Sequence, residues 1–156
     1  MALTGGCRCG LLQYSVATEL APVFHCHCSF CRHIHGASFT TIGFISASSL
    51  AWQPLSGAPS VFVTPAGNHR HFCGRCASPI YNLAPGIGLA CVVLLSLAKP
   101  SQAMPWAHVN IESKAPWLTI HDSLPRFKAW PSQKELSALA RQHGAVLPRE
   151  LVVPGP

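Results

Sequence analysis

The chain has 156 residues, 49% of them hydrophobic and only 10% charged, with a formal net charge of +6. That length suits one domain, and that apolar content excludes a chain that stays disordered. No run reaches the roughly 18–20 apolar residues that cross a bilayer, and the Lys and Arg residues form no stripe of the kind nucleic acid requires.

Fourteen prolines and twelve glycines are spread along the chain, which predicts turns between short strands rather than long helices. Cys7 and Cys9 come first, in Thr-Gly-Gly-Cys-Arg-Cys-Gly. In an extended segment they share a face while Arg8 points away. Leu12, Tyr14 and Val16 alternate with Gln13 and Ser15, which reads as a strand leaving that cluster. The second cluster is Cys26-His27-Cys28-Ser29-Phe30-Cys31-Arg32. Cys26 and Cys28 again share a face, and Cys31 returns after a two-residue turn. His25, His27, His33 and His35 crowd the same region. Any of them could be a fourth ligand, although each taken singly reads better as a surface imidazole or one packed beside the site.

Residues 40–45 and 61–63 read as strands, and 64–68 as a hairpin turn with Pro65 and Gly67. Cys73-Gly74-Arg75-Cys76 has the zinc-knuckle form, and 79–83 departs from it as a strand. The nearly continuous apolar run 88–97 predicts a buried strand, with Cys91 as a small buried hydrophobe. Segments 106–111 and 117–121 read as two more strands. One helix is predicted, near the C-terminus: Ser132-Gln133-Lys134-Glu135 is a capping box, Leu136, Leu139 and Ala140 share a face, and Gly144 is placed to end it. Residues 148–156 read as a loose tail.

Seven of the eight cysteines thus fall in three short clusters. Closed structural zinc sites take four protein ligands, and catalytic ones take three and keep a position open. One division joins Cys7, Cys9, Cys73 and Cys76 in a closed site and leaves Cys26, Cys28 and Cys31 as an open one. Another joins Cys7, Cys9, Cys26 and Cys28 and leaves Cys73 and Cys76 to pair with histidines. Spacing alone leaves both standing. Seven thiolates around two Zn²⁺ would lower the formal charge, so part of the basicity offsets metal-bound sulfur. Arg8, Arg32 and Arg75 lie in or beside the clusters, where a cation stabilises thiolate. A disulfide framework fits less well: Cys-x-Cys pairs are too close for easy bridging, and residues 1–6 lack a signal-type apolar core. A soluble, cytoplasmic protein is the expectation.

The ordered set Gly6-Cys7-x-Cys9-Gly10, Cys26-His27-Cys28-x-x-Cys31-Arg32-x-x-x-Gly36-Ala37-x-Phe39 and Phe72-Cys73-x-x-Cys76 resembles the glutathione-dependent formaldehyde-activating enzyme family, which includes the centromere protein V domain. Pro105-x-x-His108-Val109 and Pro116-Trp117-Leu118-x-Ile120-x-Asp122-x-Leu124-Pro125 extend the likeness, so that it covers roughly residues 4–127. The resemblance implies an all-β, Mss4-like antiparallel sheet fold with zinc-binding turns and a short C-terminal helix. With the helix read from the capping box, the expected division is a zinc-binding β domain at 1–130 and a helix and tail at 131–156. The resemblance implies two zincs per chain, a structural one on Cys7, Cys9, Cys73 and Cys76 and a catalytic one on Cys26, Cys28 and Cys31. It also implies glutathione as co-substrate in a carbon–sulfur lyase type of reaction that makes or breaks S-hydroxymethylglutathione. Two departures stand out. Ala77 replaces a usual glycine after the last cysteine, and Leu94-Leu95-Ser96-Leu97-Ala98 replaces a common Gly-Thr-Leu-Asp pattern.

Two classes of function follow. As an enzyme, the chain would hold a small thiol at the open zinc, with His27, His35, His108 or Asp122 moving protons at the carbon electrophile; His108 and Asp122 could equally anchor the scaffold. As a non-catalytic interaction module, its basic charge would serve a partner, with salt-sensitive binding if that partner were nucleic acid.

Overall fold

Alternation of side chains sets the first hairpin of the computed structural model, which describes residues 2–151. Strand β1 (Leu3–Gly6) pairs antiparallel with β2 (Gln13–Val16), and Tyr14 and Val16 turn inward to full burial. Strand β5 (Leu50–Trp52) adds to β2 and completes a three-stranded sheet. The second sheet holds seven strands in the order β10-β3-β4-β9-β8-β7-β6. Its members are β3 (Val23–Cys26), β4 (Thr40–Ser46), β6 (Ser60–Val63), β7 (His69–Phe72), β8 (Pro79–Ala84), β9 (Leu89–Val93) and β10 (Ala107–Val109). Every pair is antiparallel except β10 with β3, which is parallel. The all-β expectation, with a short C-terminal helix, holds.

Phe24, Ile45, Ile80, Val92 and Val109 are the buried centre of this sheet. The β-branched run that predicted a strand over 88–97 supplies β9, but the strand ends at Val93. A 3-10 turn (Leu94–Ser96) follows, held by the Ser96 hydroxyl donating to the Val93 carbonyl at 2.8 Å. The C-terminal helix α2 (Gln133–Gln142) carries the complete capping box and buries Leu136, Leu139 and Ala140 in the same core. Trp130, just before it, sets its ring edge-on to Phe24 and Phe44 at 5.3 and 5.4 Å.

Three expectations are corrected. A second helix, α1 (Ser29–His35), occupies the second cysteine cluster where a tight two-residue turn was expected. Segment 117–121 is no strand: the Lys114 ammonium donates to the carbonyls of Ala115 and Leu118, and the Trp117 indole donates to Ser38, so local side chains take the place of a ladder. The expected tail is partly ordered, because Leu151 is buried and Ser46 donates to the Glu150 carboxylate at 2.6 Å; residues 152–156 lie outside the described residues.

Candidate functional site

The β1–β2 and β7–β8 turns bring together cysteines that are far apart in sequence. The sulfurs of Cys7, Cys9, Cys73 and Cys76 all lie within 4.8 Å of one another. Cys7 and Cys9 are 3.5 Å apart, and Cys9 and Cys73 3.7 Å. A tetrahedral ion with metal–sulfur bonds of about 2.3 Å has sulfur–sulfur edges of about 3.8 Å. The four sulfurs therefore fit a metal ion in size as well as in chemistry. Backbone and hydroxyl donors already point at them: Leu12 N–H to Cys7 at 3.2 Å, and Ser78 Oγ against Cys76 at 3.2 Å. The Ser78 contacts draw the Cys76 thiol down to about 5.

The second turn is tight enough to put Ala77 in the left-handed region at φ 58°. For an L-residue with a Cβ that conformation costs about 1–2 kcal/mol, and glycine gives back roughly half of it as chain entropy. Ala77→Gly is thus expected to stabilise the metal-loaded protein by about 1 kcal/mol. A denaturant midpoint at fixed free metal reads this directly, and an unchanged or lowered midpoint would contradict it.

The other three cysteines converge at the start of α1. Cys26 ends β3, Cys28 is the helix N-cap and Cys31 lies in the first turn; their sulfurs also lie within 4.8 Å of one another. Cys28 Sγ accepts from the Cys31 N–H at 3.3 Å, the part usually played by Ser, Thr, Asp or Asn. Gly36, at φ 57°, closes the helix, and Arg32, His33 and His35 occupy its last turn, where positive charge suits the helix dipole. Cys26 and Cys31 are buried, and Cys28 is half-buried. Cys28 is drawn down to about 2, first by the Cys26 thiol and then by the Cys31 thiol and backbone; the Cys28 contact pushes the Cys26 thiol up, and the Cys26 and Cys28 contacts push the Cys31 thiol up. A bound cation would favour the thiolate form of all three sulfurs. The guanidinium whose charge also favours the Cys28 thiolate is Arg70, on β7, which sequence reasoning missed. Asn110, at φ 57°, was missed too; its amide donates to Cys26 Sγ at 3.5 Å. Both signals are long-range pairings that spacing does not carry.

The histidines separate into distinct places. His27 is fully buried, and its Nε2 lies 2.8 Å from His108 Nδ1. His108 Nε2 lies 3.0 Å from the Asp122 carboxylate. A carboxylate only accepts, so with neutral rings His108 donates to Asp122 and accepts from His27. His27 Nδ1 is left buried with no partner among the described residues. Burial holds His25 and His27 down to about 4. His25 Nδ1 lies 2.8 Å from the Thr41 hydroxyl. His33 bonds a carbonyl of its own helix. His35 lies apart from the His27–His108–Asp122 chain, on a cavity of about 190 Å³ between the end of α1 and strands β6–β9.

The larger concavity, about 810 Å³, runs along the four-cysteine side and is lined by Gly6, Cys7, Gln13, Ser96 and Leu97. The Leu94–Ala98 departure faces this trough, where Tyr14 Oη meets Ser96 Oγ at 2.6 Å. Size does not make it the reactive place, because its nearest cluster already supplies four sulfurs, whereas the three-sulfur cluster supplies one fewer.

A family model described as "Glutathione-dependent formaldehyde-activating enzyme" matches residues 2–113. A Halomonas elongata protein named "Putative glutathione-dependent formaldehyde-activating enzyme" is 26% identical over 132 residues, covering 77% of this chain and 82% of that protein. Among solved structures, a Rhodobacter sphaeroides protein is similar in fold, with a TM-score of 0.51 at 16% identity over 80% of this chain and 98% of that one. No helix of the described residues is long and apolar enough to cross a membrane.

Proposed function

Because the chain belongs to the glutathione-dependent formaldehyde-activating enzyme family, we propose that it is a zinc-dependent enzyme of the carbon–sulfur lyase type, acting in the cytoplasm on adducts of glutathione or another small thiol. In the forward direction a carbon–sulfur bond forms between the thiolate and the carbonyl carbon of formaldehyde, and the carbonyl oxygen takes up a proton, giving S-hydroxymethylglutathione. Cys7, Cys9, Cys73 and Cys76 would hold a structural zinc, and Cys26, Cys28 and Cys31 a catalytic one. Zinc at the three-cysteine site would supply a Lewis acid that lowers the pKa of an incoming thiol.

The observation that carries this reading is the unequal division of sulfurs, four on one side and three on the other. This chain's own residues do the rest. The α1 N-terminus and Arg70 favour negative charge on sulfur. Asn110 holds Cys26 in place through its amide. The Asp122–His108–His27 chain fixes the ring between Cys26 and Cys28, and the burial of both rings makes them supports rather than groups that meet substrate, with the exposed Asp122 as their anchor. His35 lies apart from that chain, on the wall of the neighbouring cavity.

Replacing zinc with Co²⁺ and titrating with glutathione tests the open position. A saturable change in the sulfur-to-cobalt bands is expected. An unchanged spectrum with two metals bound per chain would rule out glutathione at either ion and favour the interaction-module reading.

A further inference from the structure

Helix α1 carries more than its cysteines. Cys28, Cys31 and His35 recur at i, i+3 and i+7, with Ile34 beside His35, so one stripe runs from the sulfur cluster to the cavity at the other end of the helix. Ile34 and His35 form one wall of that cavity, and Arg70 with Phe62, Phe72 and Ile80 form the opposite one. The lining is mostly apolar, with a single cation. Arg70 lies 4.9 Å above the Phe30 ring, also on α1, and its buried Nε has no hydrogen-bond partner. No carboxylate pairs with this guanidinium among the described residues. The His35 Nε2 is also buried without a partner. The Arg70 charge also acts on the Cys28 sulfur, but a guanidinium in an apolar slot with no carboxylate bound to its fork is a receptor for an oxyanion, and it suits a carboxylate best.

Resting on the reading of the three-cysteine cluster as a thiol site, we propose that this cavity is the subsite for the C-terminal glycyl carboxylate of glutathione, with Arg70 as the residue that recognises it. The dimensions agree. From Cys31 to His35 the helix rises about 6 Å, and a cysteinyl sulfur reaches the carboxylate of the next residue over about 7 Å. At about 190 Å³ the cavity is below the roughly 300 Å³ at which pockets for whole drug-sized ligands begin, so it takes an end group and not the tripeptide. The slot contains no acidic side chain to meet an ammonium, which directs the glycyl end here rather than the γ-glutamyl end.

The test is a thermodynamic cycle by isothermal titration of the zinc-loaded protein. Glutathione and γ-glutamylcysteine, which lacks the glycine, are compared on the wild type, Arg70→Lys and Arg70→Gln. On the wild type, loss of the glycine should weaken binding about 10-fold or more, the scale of one charge-assisted hydrogen bond. On Arg70→Gln the two ligands should bind alike, with Arg70→Lys in between. If Arg70→Gln weakens both ligands equally, Arg70 supports the fold and the subsite is overturned. If that variant does not fold, equal affinity of the two ligands for the wild type overturns it, and the expected preference for glutathione supports it. Acetylglycine, followed through the Arg70 Nε–H resonance, separates this inference from the thiol reading. A saturable shift in a protein that does not bind glutathione would leave the carboxylate subsite standing and remove the thiol site. No shift, alongside glutathione binding, would do the reverse.

Discussion

Stripping the metal, or replacing Cys73 with serine, is expected to abolish the cooperative thermal transition of the whole domain. Cys73 is fully buried and lies 3.7 Å from Cys9, so its site ties the three-stranded sheet to the β7–β8 turn of the larger one. Metal binding to sites of this kind contributes about 10–16 kcal/mol at neutral pH. A domain of this size has only about 5–15 kcal/mol of stability to lose. Without the ion, nothing but weak thiol contacts would join the two turns where these four sulfurs crowd within 4.8 Å. Circular dichroism melts with and without a strong chelator, alongside the metal content, check this; a cooperative melt retained by metal-free protein would mean that the core suffices alone.

The second large effect separates chemistry from folding. Cys28→Ser should leave the thermal transition nearly in place, lower the metal content from two ions to one, and reduce turnover of thiol–aldehyde adducts by at least about 100-fold. The substitution is mild for the fold for a specific reason. Cys28 caps α1 by accepting from the Cys31 N–H, and serine is among the best residues for that role. The oxygen keeps the helix, and the soft sulfur ligand is lost. Full activity in this variant would end the catalytic assignment.

Most of the architecture was legible because it rests on short-range patterns. Alternation gave β2 and the capping box gave α2. Helix α1 was not legible. It has seven residues, all but Arg32 with middling to weak helix propensity, and a cysteine where a hydroxyl or carboxylate cap would be sought. Its evidence lies in the site itself, since the helix places Cys31 and Cys28 together. The strand expected at 117–121 failed for the opposite reason. Its β-prone residues are there, but Pro116 and the Lys114 and Trp117 side chains hold it as a loop, with Trp117 76% exposed. The cysteine clusters were visible as clusters, whereas which of them meet in space depends on strand pairing, as do Arg70 and Asn110. The Ala77 departure was visible as a letter, and its meaning came only with its φ of 58°.

The 64-residue separation of Cys9 and Cys73 also has a meaning in time. A ribosome adding roughly 5–20 residues per second needs about 3–13 s to cover that distance. Over the last 45 residues of that stretch, from Cys28 onward, Cys7, Cys9, Cys26 and Cys28 have already been made, and they are a complete set of four thiols. An ion captured by them during synthesis would join the wrong turns. The folded protein keeps these pairs in separate clusters, so any ion captured that early would have to be released or handed on when the Cys73–Cys76 turn emerges. The order in which the cysteines emerge therefore makes the timing of metal supply, and not only its amount, a variable in how the chain would reach its native form.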